Sequence, residues 1–154
     1  MTMAAPRAAM VRPARADDLD DLLALIRSLN EDEFVLPAAE AQRIWAEISG
    51  APGLTVYVAE QDGRAVSTCT LIVVPNLGRR GRPFAIIETV ATLPDYRRRG
   101  LGRAVIAAAL DEAWSQGCYK VMLMTGARDQ GVLRFYEALG FEAGGKTALQ
   151  ILRP

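Results

Sequence analysis

The run from residue 84 to residue 125 constrains the fold of this chain more than any other part of the sequence. It begins with an apolar stretch of strand length at residues 84–92 and continues through a turn into a stretch of helical length at residues 101–115. A second apolar stretch of strand length follows at residues 119–125. A strand, a helix and a strand in this order predict a crossover connection between two parallel strands.

Two stretches upstream are rich in β-branched residues and flank a tight-turn signal, Gln61-Asp62-Gly63. They predict a β-hairpin with strands at residues 54–60 and 65–74, and glycine and proline mark residues 75–83 as a loop. Because hairpin strands are antiparallel, the predicted sheet is mixed and mostly antiparallel, within an α/β (α+β) fold class.

Apolar residues at helical spacing predict two amphipathic helices near the N-terminus, at about residues 18–30 and 37–49. Asp17 and Asp18 are predicted to cap the first helix and to supply negative charge at its start, and an acidic run at residues 31–33 follows that helix. The remaining predicted elements are a strand at residues 10–13, a last helix at about residues 130–139, and strand pieces at Phe141 and at residues 147–152.

Length and charge limit the class of protein. With 154 residues, we expect one domain over residues 1–154. Lysine plus arginine equals aspartate plus glutamate at 18 each, and zero net charge argues against non-specific nucleic-acid binding. Because no stretch has the length of a membrane span or the apolar core of a signal peptide, we expect no membrane partner and a cytoplasmic location.

Histidine is absent from the sequence, and only two cysteines occur, Cys69 and Cys118. The absence of histidine excludes a histidine-based catalytic triad. The two cysteines lack metal-ligand spacing, so we expect no metal site and interpret both as buried small hydrophobic residues. Any acid or base in this protein must be Glu, Asp, Tyr, Lys, Cys or water.

The start of the predicted helix at residues 101–115 has the features of an anion site. The first N–H groups of a helix have no partner within it and lie at the positive end of its dipole. Gly100 and Gly102 carry no Cβ, so the amides of residues 98–103 can surround a phosphate closely. Positive charge at the mouth of this site comes from Arg97, Arg98 and Arg99. The alternative interpretation of these arginines is a solvated basic turn.

Two short motifs resemble the signatures of one family. Arg97-x-x-Gly100-x-Gly102, after a strand and at a helix start, resembles the acetyl-coenzyme A signature of the GNAT superfamily of N-acetyltransferases. The sequence Phe-Tyr-Glu-Ala-Leu-Gly-Phe at residues 135–141 resembles the second signature of the family, an aromatic-Tyr pair that leads into Gly-Phe. The motifs and the predicted order of elements together extend the resemblance over roughly residues 10–152.

The resemblance implies a GNAT-like mixed sheet flanked by helices, with a V-shaped opening between two parallel strands. Acetyl-CoA lies in this opening as the co-substrate, with its pantetheine arm paired to the end of the first strand and its pyrophosphate on the helix start. The implied cofactor-binding residues are Val90, Ala91, Thr92, Arg97, Arg98, Arg99, Gly100, Leu101, Gly102 and Arg103.

The resemblance also implies a reaction, the direct attack of a primary amine on the thioester of acetyl-CoA. The amine must lose a proton, the thioester carbonyl needs a donor, and the leaving thiolate needs a proton. Tyr136 matches the family tyrosine that protonates the thiolate, and its alternative role is a core aromatic residue. Glu88 matches a strand glutamate that some members place near the amine, but an inter-strand ion pair, for instance with an arginine of the 79–82 loop, is an equal alternative. The carbonyl donor is the amide of Val90 or of a neighbour.

The acceptor is predicted only as a primary amine of a small molecule. Ile87-Glu88-Thr89-Val90 and residues 117–121 resemble strands of amino-sugar-phosphate acetyltransferases. The loop arginines Arg79, Arg80 and Arg82 fit an anionic substrate, the 3′-phosphate of the cofactor, or a solvated loop. A CoA-binding or regulatory module without turnover is the alternative function. Homodimers are common in the family, and no residue of this chain demonstrates one.

One position departs from the family pattern. Many members have Asn seven residues before the tyrosine, and this chain has Asp129 there. A carboxylate cannot donate the hydrogen bond that an amide donates, so the cofactor contact from the last helix is in question.

Overall fold

The computed structural model describes residues 8–30, 32, 34–126 and 129–154. Residues 1–7 and two members of the predicted acidic run, Glu31 and Glu33, lie outside the described residues. The chain divides into two compact units, residues 1–122 and residues 123–154.

The first unit contains one five-stranded sheet in the order β1-β2-β3-β4-β5. Its strands are β1 (Met10–Pro13), β2 (Leu54–Gln61), β3 (Arg64–Val74), β4 (Phe84–Thr92) and β5 (Val121–Met122). The first four strands pair antiparallel in sequence order, and β4 pairs parallel with β5. The predicted mixed, mostly antiparallel sheet is therefore confirmed, and so is the hairpin formed by β2 and β3.

Three helices of the first unit supply apolar faces for the sheet: α1 (Leu19–Leu29), α2 (Ala38–Gly50) and α3 (Leu101–Ser115). Leu22 and Leu25 of α1 pack in one buried cluster with Val58 and Ala91. Along α3, which packs on β2, β3 and β4, four side chains are fully buried: Val105, Ile106, Ala109 and Ala113. Two of these four are alanines, and their small size lets α3 lie close to the strands.

The predicted cap of the first helix is wrong in detail. Asp18 makes no side-chain cap to α1 and instead accepts two hydrogen bonds from the Arg12 guanidinium, at 2.7 and 2.9 Å. It also accepts the backbone N–H of Arg15 at 2.6 Å, while Arg12 reaches Glu60 at 2.7 Å. The hydrogen bonds from Arg12 lower the pKa of Asp18 against the opposing effect of burial. This nearly buried ion pair connects β1 to the start of α1 and to β2. Because the Asp18 carboxylate is bonded to Arg12 and Arg15, it does not cap α1.

The strand predicted at residues 119–125 is shorter in the structure. Only Val121 and Met122 pair with β4, opposite Ala85 and Ile86, while Met124 is 61% exposed. Apolar composition identified the strand, but composition does not determine how far two parallel strands stay in contact. The β4–β5 pairing therefore covers two residues of each strand.

The second unit contains one helix among its described residues, α4 (Gln130–Glu137). The strand pieces predicted at Phe141 and at residues 147–152 are wrong, because no described residue there belongs to a strand. The backbone N–H of Phe141 instead bonds the carbonyl of Tyr136 at 3.2 Å, which closes the end of α4. Leu149 and Ile151 are exposed. A strand forms only where a second segment pairs with it, which a local apolar pattern does not determine.

Across the described residues, every helix is too short or too polar to serve as a membrane span.

Candidate active site

The turn between β4 and α3 presents consecutive backbone donors that have no acceptor. The N–H groups of residues 98–103 donate to no other described residue, and the first bonded amide is that of Ala104, which reaches the Gly100 carbonyl at 3.0 Å. Arg98 and Gly100 have left-handed φ angles of 60° and 78°. A run of unpaired amides at the positive end of a 15-residue helix can accept an anion.

The arginines before this helix divide into two groups. Arg97 Nε donates to the Thr92 carbonyl at 3.1 Å, and an Arg99 Nη donates to the Asp95 carbonyl at 2.8 Å. These two bonds brace the turn, which begins with a single 3-10 turn at Pro94–Tyr96. Arg98 and Arg103 are exposed, and neither forms an ion pair or hydrogen bond with another described side chain. Sequence reasoning identified the arginines but could not separate the bracing pair from the two exposed cations.

The end of β4 has one hydrogen-bonding edge without a strand partner. Its β3 side is paired as far as Thr92, whereas its β5 side is paired only at Ala85 and Ile86. Among the described strands, none pairs with this side over residues 87–92. An open strand edge offers alternating N–H and carbonyl groups to an extended ligand. Val90, Ala91 and Thr92 lie on this segment, where the resemblance placed the pantetheine arm.

A β-bulge interrupts β4 next to its open edge. Thr68 lies opposite Ala91 and Thr70 lies opposite Glu88, so Thr89 and Val90 together face the single residue Cys69. Thr89 has a φ of 52°, a left-handed conformation that is rare for a β-branched residue. A bulge bends the strand and redirects its backbone groups. The sequence carried no signal for it, because the position holds threonine and not glycine.

Ser67 on β3 fixes the end of β4 from the paired side. Its hydroxyl is fully buried, lies 2.8 Å from the Thr92 hydroxyl and donates to the Ala91 carbonyl at 3.1 Å. The Leu93 N–H also reaches the Val66 carbonyl at 3.0 Å. Sequence reasoning missed Ser67, although a serine inside an apolar strand was a signal for it. The strand end is therefore rigid on one side and open on the other.

Glu88 lies immediately before the bulge and is exposed. Within the described residues it forms no ion pair, so the alternative of a salt bridge to the 79–82 loop is wrong. Its face of β4 also carries Phe84 and Ile86, which are half-buried, whereas Ala85 and Ile87 on the other face are buried. The carboxylate is thus accessible from solvent beside the redirected backbone of residues 89–90.

Tyr136 lies on α4 in the second unit and is half-buried. Its ring makes edge-to-face contacts with Phe135 and Phe141, at centroid distances of 5.1 and 6.0 Å. At the start of the same helix, Asp129 accepts the Gly131 N–H at 2.8 Å and acts as the N-cap. The carboxylate at the position where many members carry asparagine therefore stabilises the helix end.

Both cysteines are buried and free, as predicted. Burial raises the pKa of the Cys69 thiol to about 12, so it is a poor nucleophile. Within the described part of the chain, no cluster of three or more acidic or cysteine side chains is arranged to hold a metal ion.

The fold joins a bulged strand with one open edge to a helix start with unpaired amides, an arrangement that can accept an extended ligand carrying a phosphate. The sequence matches the model of the Acetyltransferase (GNAT) family over residues 20–141, and the chain belongs to that family. It is an N-acetyltransferase with acetyl-CoA as its co-substrate, as the two motifs predicted.

Relatives and solved structures agree with this assignment. The glucosamine 6-phosphate N-acetyltransferase of Trypanosoma brucei brucei is 35% identical over 135 residues, which cover 86% of this chain and 88% of that protein. A putative acetyltransferase from Agrobacterium tumefaciens has a TM-score of 0.90 and 44% identity, with 94% and 99% of the two chains covered. An acetyltransferase structure from Trypanosoma brucei has a TM-score of 0.81 and 33% identity, with 94% and 100% covered.

Proposed function

We propose that this protein transfers the acetyl group of acetyl-CoA to the primary amine of a small molecule by direct attack. The observation that carries the proposal is the continuity of two features within β4 and α3. The strand is open on one edge and bulged at residues 89–90, and it leads into the unpaired amides of residues 98–103. One extended ligand that ends in phosphates satisfies both features.

The cofactor is proposed to bind mostly through backbone groups. The pyrophosphate accepts hydrogen bonds from the amides of residues 98–103, where the helix dipole also favours negative charge. Arg98 and Arg103 supply the exposed positive charge, while Arg97 and Arg99 hold the turn in place. The amides of pantetheine pair with the open edge at Val90, Ala91 and Thr92, as an added strand does.

The proposed reaction forms a bond between nitrogen and carbon and breaks one between carbon and sulfur. The neutral amine attacks the thioester carbonyl, and Glu88 accepts the proton that the nitrogen loses, directly or through water. The amide of Val90, redirected by the bulge, donates to the carbonyl oxygen as negative charge develops there. The electron pair of the broken bond passes to sulfur, which takes a proton from the Tyr136 hydroxyl.

The role of Tyr136 is supported first by the family match. It occupies the position of the family tyrosine in a motif that ends at Phe141, within the span matched by the family model. The rings of Phe135 and Phe141 fix its orientation within its own unit. A fixed ring presents its hydroxyl in one direction, which suits a proton donor.

The acceptor is proposed to be a small amine, and the relatives suggest which to try first. The relative from Trypanosoma brucei brucei is named for glucosamine 6-phosphate. This compound and glucosamine therefore head a panel that continues with polyamines, amino acids and peptides.

The test is the release of free CoA thiol from acetyl-CoA in the presence of each amine. We expect release that requires both the protein and one class of small amine. The two cysteines of the protein are buried and contribute little background. Binding of acetyl-CoA together with silence across the whole panel would contradict turnover and favour a non-catalytic CoA-binding module.

A further inference from the structure

Four cations gather at the start of β4, at the end of the strand opposite the anion site. They are Arg79, Arg80 and Arg82 of the β3–β4 loop, and Lys120 just before β5. None of them forms an ion pair with a described carboxylate. We call them the cation cluster.

Two members of the cation cluster converge on one aromatic ring. The Arg79 guanidinium lies 5.5 Å from the centroid of the Tyr119 ring, and the Lys120 ammonium lies 5.4 Å from the same centroid. Lys120 also lies 5.7 Å from the Phe84 ring. An exposed cation–π contact contributes only about 0.5–1 kcal/mol, whereas two like charges at one ring repel each other. An anion bound by both cations would offset this repulsion.

The loop that carries the arginines is held in one conformation. The Asn76 side chain donates to the carbonyls of Gly78 and Arg82, at 3.0 and 3.1 Å, and accepts the Gly78 N–H at 3.2 Å. Arg79 and Arg80 have left-handed φ angles of 53° and 62°. Because the backbone is already fixed, a ligand that binds these arginines does not have to order the loop.

The cation cluster and Glu88 lie toward the two ends of one strand face. Phe84, Ile86 and Glu88 alternate along β4 before the bulge and share the more exposed face. Glu88 lies four positions after Phe84, which is about 13 Å along a strand. The long side chains of the cluster shorten this gap. The face therefore suits a small molecule with an amine at one end and an anion at the other.

The position of the cluster excludes the phosphates of the cofactor as its anion. The helix start that receives the pyrophosphate follows Thr92, about 27 Å along the strand from Phe84. The acetyl group lies between these two ends, next to the bulge. An anion at the cluster therefore belongs to the acceptor.

We propose that the cation cluster recognises a phosphate group on the acceptor, so that the substrate class is phosphorylated primary amines. This inference rests on the proposed function. A phosphate monoester carries a charge of about −1.5 to −2 and three acceptor oxygens, which matches several cations better than a single carboxylate does. The planar guanidinium of Arg79 can bind two of these oxygens at once.

The test compares paired acceptors that differ only in the phosphate: glucosamine 6-phosphate with glucosamine, and phosphoethanolamine with ethanolamine. For each pair, the ratio of the two kcat/KM values is measured in the wild type and in the variants. We expect the wild type to prefer the phosphorylated member of at least one pair by tenfold or more, roughly the effect of one charge-assisted hydrogen bond. The preference should fall as salt is added.

The variants are Arg79→Gln, Lys120→Gln and the conservative Arg79→Lys. We expect each glutamine variant to lower the ratio about tenfold, and Arg79→Lys to retain part of the wild-type preference. Arg15→Gln is the matched control, because Arg15 is exposed and lies beside the opposite edge strand, β1. It should keep the wild-type ratio. Thermal melting of every variant confirms that each is folded.

Three results would overturn the inference: no wild-type preference for either phosphorylated amine, a ratio unchanged in Arg79→Gln and Lys120→Gln, or an equal fall in Arg15→Gln. These failures differ from failure of the proposed function. If only the inference is wrong, unphosphorylated amines are still acetylated. If the proposed function is wrong, no amine is acetylated.

Discussion

Replacing Gly100 by alanine has two expected effects, a loss of stability from backbone strain and a loss of acetyl-CoA affinity at the proposed anion site. Gly100 has a φ of 78°, and a Cβ added there would meet no atom within 4 Å. The free protein therefore suffers only the conformational strain of alanine in the left-handed region. That strain is about 1–2 kcal/mol, and for a chain of this length each kcal/mol lowers the melting temperature by about 2–4 °C.

Binding of acetyl-CoA should suffer a further loss. The added methyl group occupies open space beside the unpaired amides of residues 98–103, where the proposal puts the pyrophosphate. Each hydrogen bond to a charged group contributes about 1.5–3 kcal/mol. Displacing the phosphate from one amide therefore raises the dissociation constant of acetyl-CoA at least about tenfold.

Gly117 provides the matched control at the other end of the same helix. It has the same φ of 78°, and an added Cβ there also meets nothing within 4 Å. Gly117→Ala should lower the melting temperature by a similar amount and leave acetyl-CoA affinity unchanged. Isothermal titration and thermal melting of both variants make the comparison. Equal affinities in Gly100→Ala and Gly117→Ala would refute the anion site, whatever their stabilities.

Three other predictions concern single side chains. Tyr136→Phe should lower kcat at least tenfold with little change in acetyl-CoA affinity, and an unchanged rate in the thiol assay would remove its role as the acid. Asp18→Asn should destabilise the protein by about 2 kcal/mol at neutral pH. Because Arg12 lowers the Asp18 pKa, the wild type should lose this stability below about pH 4, and urea unfolding at several pH values should show a weaker acid dependence in the variant. Cys69 should react with a thiol reagent only after denaturation, since burial raises its pKa to about 12, and rapid labelling of the folded protein would contradict its burial.

The parts of the fold that depend on local pattern were predictable. The periodicity of α3 gave both of its ends, because Gly100 and Gly117 flank an uninterrupted helical stretch. The β2–β3 hairpin followed from its turn residues in the same way. The absence of a strand at residues 147–152 was not predictable, because these residues have a strand-like pattern and only the folded structure shows that they pair with no described strand. Strand pairing requires two segments, and the sequence pattern of residues 147–152 describes only one of them.

The candidate site was predicted where it depends on residue type and missed where it depends on backbone path. Glycines and arginines indicated the helix start in advance, and its amides at residues 98–103 have no described acceptor in the structure. The bulge at Thr89 depends on a register shift between β3 and β4, which no single position encodes. Among the described residues, Arg97 and Arg99 bind backbone carbonyl groups and Arg98 does not. This difference likewise depends on which carbonyls the folded turn places within reach.

The most direct test of the account is an amide NMR titration of the ¹⁵N-labelled protein with CoA. The central claim is that backbone N–H groups of residues 98–103 hold the pyrophosphate. We predict that these amides show the largest downfield shifts in the protein, because each gains a charged acceptor, and that amides along the open edge of β4 shift with them. CoA binding that leaves residues 98–103 unshifted would contradict the claim.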